Sequence, residues 1–259
     1  MKKAAFAFAA LLALVPCALP ALADQHSDDA ALGRQVYDDL RSKDQIVTSS
    51  PYSRILQQVG RRIASAAGRQ WYVERFYIVR GNQMNAFSAP GGYVFVNEGL
   101  LRNVDNVDEL ANVLGHETAH LVLGHVSARV KQQQRRNLLY NIGHIFVSNS
   151  ASQGAQNTFN VAAQAGNYTF LGFTRDQEYQ ADRTGATLAA RAGFNPWGAI
   201  WFFNETERMY GDAGYEQYVQ QHPSTKDRIA HLQAYFKANS ILFSRWPHRL
   251  VNRNGLPMN

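Results

Sequence analysis

The sequence predicts an α+β protein that is predominantly helical, with a small antiparallel sheet beside one central helix. Three observations support this prediction. Apolar residues recur at helical spacing in several long segments, whereas aromatic and β-branched residues concentrate between residues 71 and 96. The sequence H-E-x-x-H, at residues 116–120, lies inside one of the helical segments, and apolar residues flank it on both sides.

The first 23 residues are typical of a secretory signal peptide. A basic start precedes an apolar run over residues 4–15, and residues 21–23 form an A-x-A cleavage signal. We therefore expect export to the periplasm. Cys17, the only cysteine, lies in this segment. Lipoprotein anchoring through Cys17 is the rival interpretation, and Pro16 argues against it because lipoprotein signals favour a small, unconstrained residue there.

The charge of the chain is modestly positive. It carries 26 basic and 20 acidic residues, a formal net charge of +6 that includes Lys2 and Lys3 of the leader. The basic residues are scattered, so we expect no nucleic-acid partner. In an exported protein this charge is compatible with peripheral association with anionic membrane surfaces, and a solvated surface is the favoured interpretation. No stretch after residue 23 is long and apolar enough to predict a transmembrane helix.

Helical patterns make up most of the chain. Apolar spacing predicts helices at residues 28–42, 51–67, 107–130, 176–191, 196–209 and 225–239, and residues 98–103 are expected to form a short helix or a turn. The polar stretch at residues 148–158 is expected to be a mobile loop that can cover a cleft. These elements predict one domain over residues 24–240, followed by a basic, irregular tail over residues 241–259.

The sheet is expected from residues 71–79 and 93–96, which glycine-containing turns separate. Asn85, Ala86 and Phe87 lie between these two runs. They are either a plain connecting strand or an edge strand that binds an extended peptide through main-chain hydrogen bonds. Under the second interpretation these three residues bind substrate.

The H-E-x-x-H sequence predicts a zinc site. Residues four apart lie on one face of a helix, so His116 and His120 can direct their imidazoles at one ion. Glu117 lies one step around the helix and can reach a water on that ion. A catalytic zinc ion usually has three protein ligands, so a third must come from elsewhere.

Two candidates for the third ligand follow from spacing. His125 lies about 180° around a continuous helix from His116, which predicts a packing or outer role for it. Glu178 and Asp182 lie four apart on a later helix, so one can bind zinc while the other accepts the N–H of a ligating imidazole. We assign Glu178 as ligand and Asp182 as partner of His116. An exposed acidic pair is the alternative.

Four motifs, taken together, resemble those of the HtpX-like and CAAX prenyl protease-like family of zinc metalloendopeptidases, which are gluzincins. The motifs lie at residues 115–125, 174–182, 85–92 and 222–229, and the resemblance covers roughly residues 30–240. The chain lacks the membrane helices of HtpX and is similar instead to soluble periplasmic members. We expect no helical-repeat tail of the kind that some of those members carry.

The resemblance implies a gluzincin-type zinc peptidase domain that binds one Zn²⁺ per chain. His116, His120 and Glu178 would be the ligands, Glu117 the catalytic base, and His222 would lie near the metal. We expect His222 to stabilise the oxyanion as a catalytic residue, with Tyr179 as second candidate. Arg228 is expected either to pair with an acidic residue such as Asp182 or to lie on the surface.

Two functions are carried forward. The first is an endopeptidase of protein quality control that cuts polypeptide substrates, such as misfolded envelope or outer-membrane proteins. The second is a periplasmic chaperone or outer-membrane assembly factor that contains zinc and cleaves little. Glu117 favours the first, because a structural zinc site needs no base.

Overall fold

The structure, a computed structural model, describes residues 20–68, 75–134, 172–210, 222, 225–250 and 253–258. Most of the predicted signal peptide, including Cys17, lies outside the described residues, as does the whole predicted loop at 148–158. The first described helix, α1, begins at Pro20 and ends at Ser42. It therefore starts earlier than the predicted helix at residues 28–42.

Helices dominate the described part of the chain. After α1 they are α2 (Ser53–Ala66), α3 (Glu98–Asn103), α4 (Val107–Val122), α5 (residues 125–134), α6 (Arg175–Arg191), α7 (Gly198–Tyr210), α8 (Thr225–Ala238) and α9 (Ser240–Phe243). Each predicted helix has a counterpart in this series, which confirms the predominantly helical class.

The sheet has four short strands: β1 (Ile46–Val47), β2 (Phe76–Val79), β3 (Ala86–Ala89) and β4 (Tyr93–Asn97). They lie in the order β1-β2-β4-β3. β4 is antiparallel to β3 but parallel to β2. The sheet is therefore mixed, where the sequence predicted antiparallel pairing. The parallel pair arises because β3 lies at the far edge, and the turn at Pro90–Gly92 returns β4 between β2 and β3.

Helix α4 lies at the centre of the fold. Its residues from Glu109 to Leu121 are all buried, and its N-cap residue Asn106 accepts a hydrogen bond from the Glu109 N–H. It packs on α2, α6, α7 and strand β3. A helix buried on all sides holds its side chains in fixed directions, which suits a site that needs precise geometry.

A glycine pair brings α4 and α6 unusually close together. A Cβ atom on Gly115 would lie 2.7 Å from the Gly185 carbonyl oxygen, and one on Gly185 would lie 2.7 Å from the His116 nitrogen. Real Cβ atoms do not approach so closely, so larger residues would separate the helices. This contact places His116 directly opposite the carboxylates of α6.

The predicted helix over residues 107–130 is broken in the structure. Helix α4 ends at Val122, and Gly124 adopts a φ of +74°, in the left-handed region that favours glycine. Helix α5 then starts at His125 in a new direction. The periodicity of the sequence did not indicate this break, because apolar residues continue on both sides of it.

The C-terminal tail is partly ordered against the domain. The sequence predicted it to be irregular, but residues 240–243 form α9, and Phe243 and Leu256 are buried in the same core as α4. These apolar side chains explain the docking, since burying them removes apolar surface from water. Within the described ranges, no helix is long and apolar enough to cross a bilayer.

Candidate metal centre and active site

Four buried side chains converge between α4 and α6. His116 and His120 come from α4, Glu178 comes from α6, and His222 precedes α8. Each offers one nitrogen or oxygen atom, and these atoms all lie within 4.8 Å of one another. The structure thus brings together the three residues predicted as ligands and adds His222 to the group.

The distances fit a zinc ion. The two Nε2 atoms of His116 and His120 lie 3.0 Å apart, and each is 3.5 Å from a Glu178 carboxylate oxygen. Zinc bonds of about 2.0–2.2 Å in a tetrahedral site separate the ligand atoms by roughly 3.3–3.6 Å, which matches both distances to Glu178, while the distance between the two histidines is slightly shorter. Two imidazoles and a carboxylate are also the donor set of many catalytic zinc sites.

Asp182 and Arg228 hold this group from behind. Asp182 Oδ1 lies 3.0 Å from His116 Nδ1, as predicted for the residue that orients a ligating histidine. Arg228, 1% exposed, donates to both Asp182 oxygens at 2.8 and 2.6 Å, and its Nη1 lies 3.1 Å from Glu178. Arg228 is therefore a buried partner of Asp182, and its alternative placement on the surface is wrong.

Charge, and not burial, decides the ionisation of these carboxylates. Burial acts to raise the pKa of Glu178, but nearby His222 and the Arg228 cation hold it well below its ordinary value. Burial likewise opposes ionisation of Asp182, and Arg228 and His116 outweigh it, so that pKa is lowered. Burial holds the pKa of His120 well below its ordinary value. The surroundings of His120 thus favour the neutral imidazole, which is the form that binds metal.

Glu117 lies against the group without joining it. It is 3% exposed, and its Oε2 accepts a hydrogen bond of 2.9 Å from the Ser88 hydroxyl. Its Oε1 lies 3.7 Å from His222 Nε2. Sequence reasoning missed Ser88, although it lies in the motif at residues 85–92, one residue after the candidate strand at 85–87.

His125 lies beside the group, on the far side of His120. Its Nδ1 is 3.0 Å from His120 Nδ1, although it is not among the four clustered donors. The predicted outer role agrees with this placement, but the continuous helix used to predict it does not exist. Phe173 stacks on the His120 ring at a centroid distance of 3.6 Å. Nothing in the sequence pointed to Phe173.

The two candidate oxyanion donors lie in different places. His222 is buried in the donor group, with Nδ1 2.9 Å from Glu178 Oε1. Tyr179 is directed away from the group and stacks on the ring of His231 at 3.8 Å. The structure thus brings His222, and not Tyr179, to the site.

Strand β3 forms one wall beside Glu117. Asn85 precedes β3, while Ala86 and Phe87 lie within it, and β3 pairs only with β4 among the described strands. It is therefore an edge strand, the second of the two placements considered for these residues. Its binding of substrate stays a prediction.

Comparison with known proteins bears on this site. A sequence model described as peptidase family M48 matches residues 52–236, a segment that carries all four clustered donors and Glu117. The chain belongs to peptidase family M48.

Three relatives illustrate the similarity of this chain to known proteins. The putative beta-barrel assembly-enhancing protease of Vibrio cholerae is 26% identical over 194 residues, covering 73% of this chain and 40% of the relative. The beta-barrel assembly-enhancing protease of Yersinia pestis is 28% identical over 171 residues, covering 65% and 35%. The mitochondrial metalloendopeptidase OMA1 of Schizosaccharomyces pombe is 28% identical over 186 residues, covering 71% and 53%. The chain thus spans 40% or less of the two bacterial relatives.

Membership in M48 confirms three predictions: the family resemblance, the enzyme class and the cofactor. The chain is a metallopeptidase of this family, with a donor group suited to zinc. The individual roles of the ligands, of Glu117 and of His222 stay predictions, as do the substrate and the cellular compartment.

Proposed function

We propose that this M48 chain is a zinc-dependent endopeptidase that cuts misfolded envelope proteins after export. One observation carries the proposal: Glu117 lies against the clustered donors, held by Ser88 at 2.9 Å, where a base must lie to serve a water on the ion. A purely structural zinc site has no use for such a carboxylate.

His116, His120 and Glu178 would hold the ion. When bound there, zinc lowers the pKa of a water toward about 7 and polarises the scissile carbonyl. Glu117 takes the proton of the attacking water and delivers it to the leaving amine. His222, whose Nε2 lies 3.7 Å from Glu117, is the candidate donor to the oxyanion.

The edge of β3 supports binding of an extended peptide. Asn97 N–H donates to the Asn85 carbonyl, so residues 85, 87 and 89 exchange main-chain hydrogen bonds with β4. The main-chain groups of Ala86 and Ser88 therefore face away from β4. A substrate strand that pairs with them is recognised through its backbone, which gives broad sequence specificity.

This edge can be tested with proline. Ala86→Pro removes an outward N–H and should raise KM for an unfolded protein such as casein. Phe87→Pro removes an N–H that bonds β4 and should destabilise the sheet instead. An unchanged KM in a folded Ala86→Pro protein would contradict binding at this edge.

A second function, a zinc-containing chaperone or assembly factor, is favoured by one feature. With His222 the group has four donors, and four protein ligands are typical of a closed structural site. Replacement of His222 by Ala separates the two. If His222 is a catalytic donor, kcat falls while zinc affinity persists; if it is a fourth structural ligand, zinc affinity falls.

The central test is Glu117→Gln. The control is Glu207→Gln, at a side chain that is 41% exposed. The Glu117 variant should retain zinc by metal analysis and lose cleavage of casein, whereas the control should retain both. Cleavage of casein by the Glu117→Gln variant at the wild-type rate would overturn the mechanism. If the protein still protects client polypeptides after chelation and after Glu117→Gln, the chaperone function is favoured.

The substrate class rests on two supports. The predicted leader indicates export, and two of the relatives are named for beta-barrel assembly. Comparative proteomics of envelope fractions, with wild type and Glu117→Gln, should show outer-membrane proteins that accumulate with the variant. If only cytoplasmic proteins accumulate, the proposed compartment is wrong.

A further inference from the structure

We propose that His125 is a positioning residue that fixes the imidazole of His120 for metal binding, and that Gln180 in turn fixes His125. The proposal rests on the zinc site described above. It assigns a hydrogen-bond direction to each link of a chain from α4, through the start of α5, to α6.

The break at Gly124 makes the contact possible. On a continuous helix His125 would point away from the metal face, but the left-handed conformation of Gly124 redirects the chain. His125 is then 6% exposed, and its Nδ1 lies 3.0 Å from Nδ1 of His120. Its Nε2 lies 3.4 Å from Oε1 of Gln180.

The direction of the chain follows from which nitrogen of His120 faces the donors. His120 Nε2 lies 3.0 Å from His116 Nε2 and 3.5 Å from Glu178, so Nε2 carries the lone pair that binds metal. A neutral imidazole then carries its hydrogen on Nδ1 and donates it to His125 Nδ1. His125 has its own hydrogen on Nε2 and donates it to the Gln180 amide oxygen, which only accepts.

The two histidines of the H-E-x-x-H motif are therefore oriented by different chemistry. Asp182, a carboxylate paired with Arg228, accepts from His116 Nδ1, whereas a neutral imidazole accepts from His120 Nδ1. Partners of this kind hold the ring of a ligand in place and set its tautomer, and their loss weakens metal binding by about 10–100-fold.

Three substitutions of His125 test this chain by atom position. Asn places its amide oxygen near the former Nδ1, so His125→Asn keeps the acceptor for His120. Gln places its polar atoms near the former Nε2, and Leu places none, so His125→Gln and His125→Leu both lose that acceptor. The matched control is His231→Asn, because His231 is an exposed histidine that stacks on Tyr179.

The readout is zinc affinity from competition with a chromophoric chelator, together with the visible spectrum of the cobalt-substituted protein. We expect His125→Leu and His125→Gln to bind zinc about 10–100-fold more weakly and to show an altered cobalt spectrum. His125→Asn and His231→Asn should bind within about threefold of wild type. Thermal unfolding of the zinc-free proteins identifies any variant that fails to fold.

Two results would overturn the proposal. One is equal zinc affinity in wild type and a folded His125→Leu protein; the other is equal weakening in the Asn, Gln and Leu variants. Because the assay measures zinc and not cleavage, its outcome is separate from that of the proposed peptidase activity. Wild type that binds no zinc would instead refute the zinc site on which the proposal rests.

Discussion

Buried carboxylates lie near both ends of helix α4, and their pKa values are shifted in opposite directions. At the start of the helix Glu109 is 0% exposed, and burial raises its pKa to about 8. Facing the later turns, Glu178 is also 0% exposed and Asp182 is 4% exposed, yet their pKa values are lowered. Burial alone therefore does not predict the charge of a buried carboxylate.

The difference lies in the partners. Glu109 accepts a hydrogen bond from the Asp105 N–H at 2.9 Å, but the charges of Asp105 and Glu205 also act to raise its pKa. Arg228 contacts both Glu178 and Asp182 directly. A buried cation compensates a carboxylate for its lost hydration, whereas a few neutral hydrogen-bond donors do not. The surroundings of Glu178 and Asp182 therefore favour their ionised forms, whereas those of Glu109 favour its protonated form.

Removal of Arg228 should have the largest effect on this contrast. Arg228→Met leaves two buried carboxylates without their cation, which should cost about 3–5 kcal/mol of the free energy of unfolding in the zinc-free protein. Urea denaturation at neutral pH measures this cost. The control is Lys226→Met, which breaks an exposed ion pair with Glu207 and should cost about 1 kcal/mol or less. Equal costs in the two variants would mean that Arg228 does not carry the contrast.

Neutralising Glu109 should have a smaller effect with the opposite sign. The unfolded chain loses the Glu109 proton near pH 4.5, while the folded protein keeps it until about pH 8. Between these values the folded state binds more protons, so this residue lowers stability as pH rises. Glu109→Gln should therefore become more stable than wild type by on the order of a few kcal/mol at pH 8 and above.

Urea denaturation of wild type and Glu109→Gln across pH 4–9 measures this difference, and Glu98→Gln provides the control. A difference that does not grow with pH, or that favours wild type at pH 8, would contradict the raised pKa of Glu109.

Loss of the Ser88 hydroxyl, which holds Glu117, should have the smallest effect. Ser88 donates a neutral hydrogen bond to Glu117, which is worth about 1 kcal/mol. Ser88→Ala should lower kcat by roughly three- to tenfold and leave zinc content unchanged, because the base is less well held. Steady-state assays with a model peptide test this, with Ser127→Ala, at a hydroxyl that donates to Asp29, as control. A loss of zinc from Ser88→Ala would place Ser88 in metal binding instead.

Local periodicity and spacing predicted much of this protein. The helices that carry the site were expected, and so were both histidines and Glu117, because residues four apart on a helix share a face in any fold. The pair Glu178 and Asp182 was also found by spacing. These features depend on local geometry, which the sequence determines by itself.

The tertiary structure decided what periodicity cannot show. Whether Arg228 was buried or exposed depended on the packing of α8, and the parallel pairing of β2 with β4 depended on the placement of β3. The break at Gly124 brought His125 beside His120, and the sequence did not show this because a left-handed residue leaves the apolar pattern unchanged. The sequence by itself indicated His116, His120 and Glu178 as candidate metal ligands. Only the packing of elements distant in the chain determined their charges and orienting partners, because these depend on neighbours that spacing does not reveal.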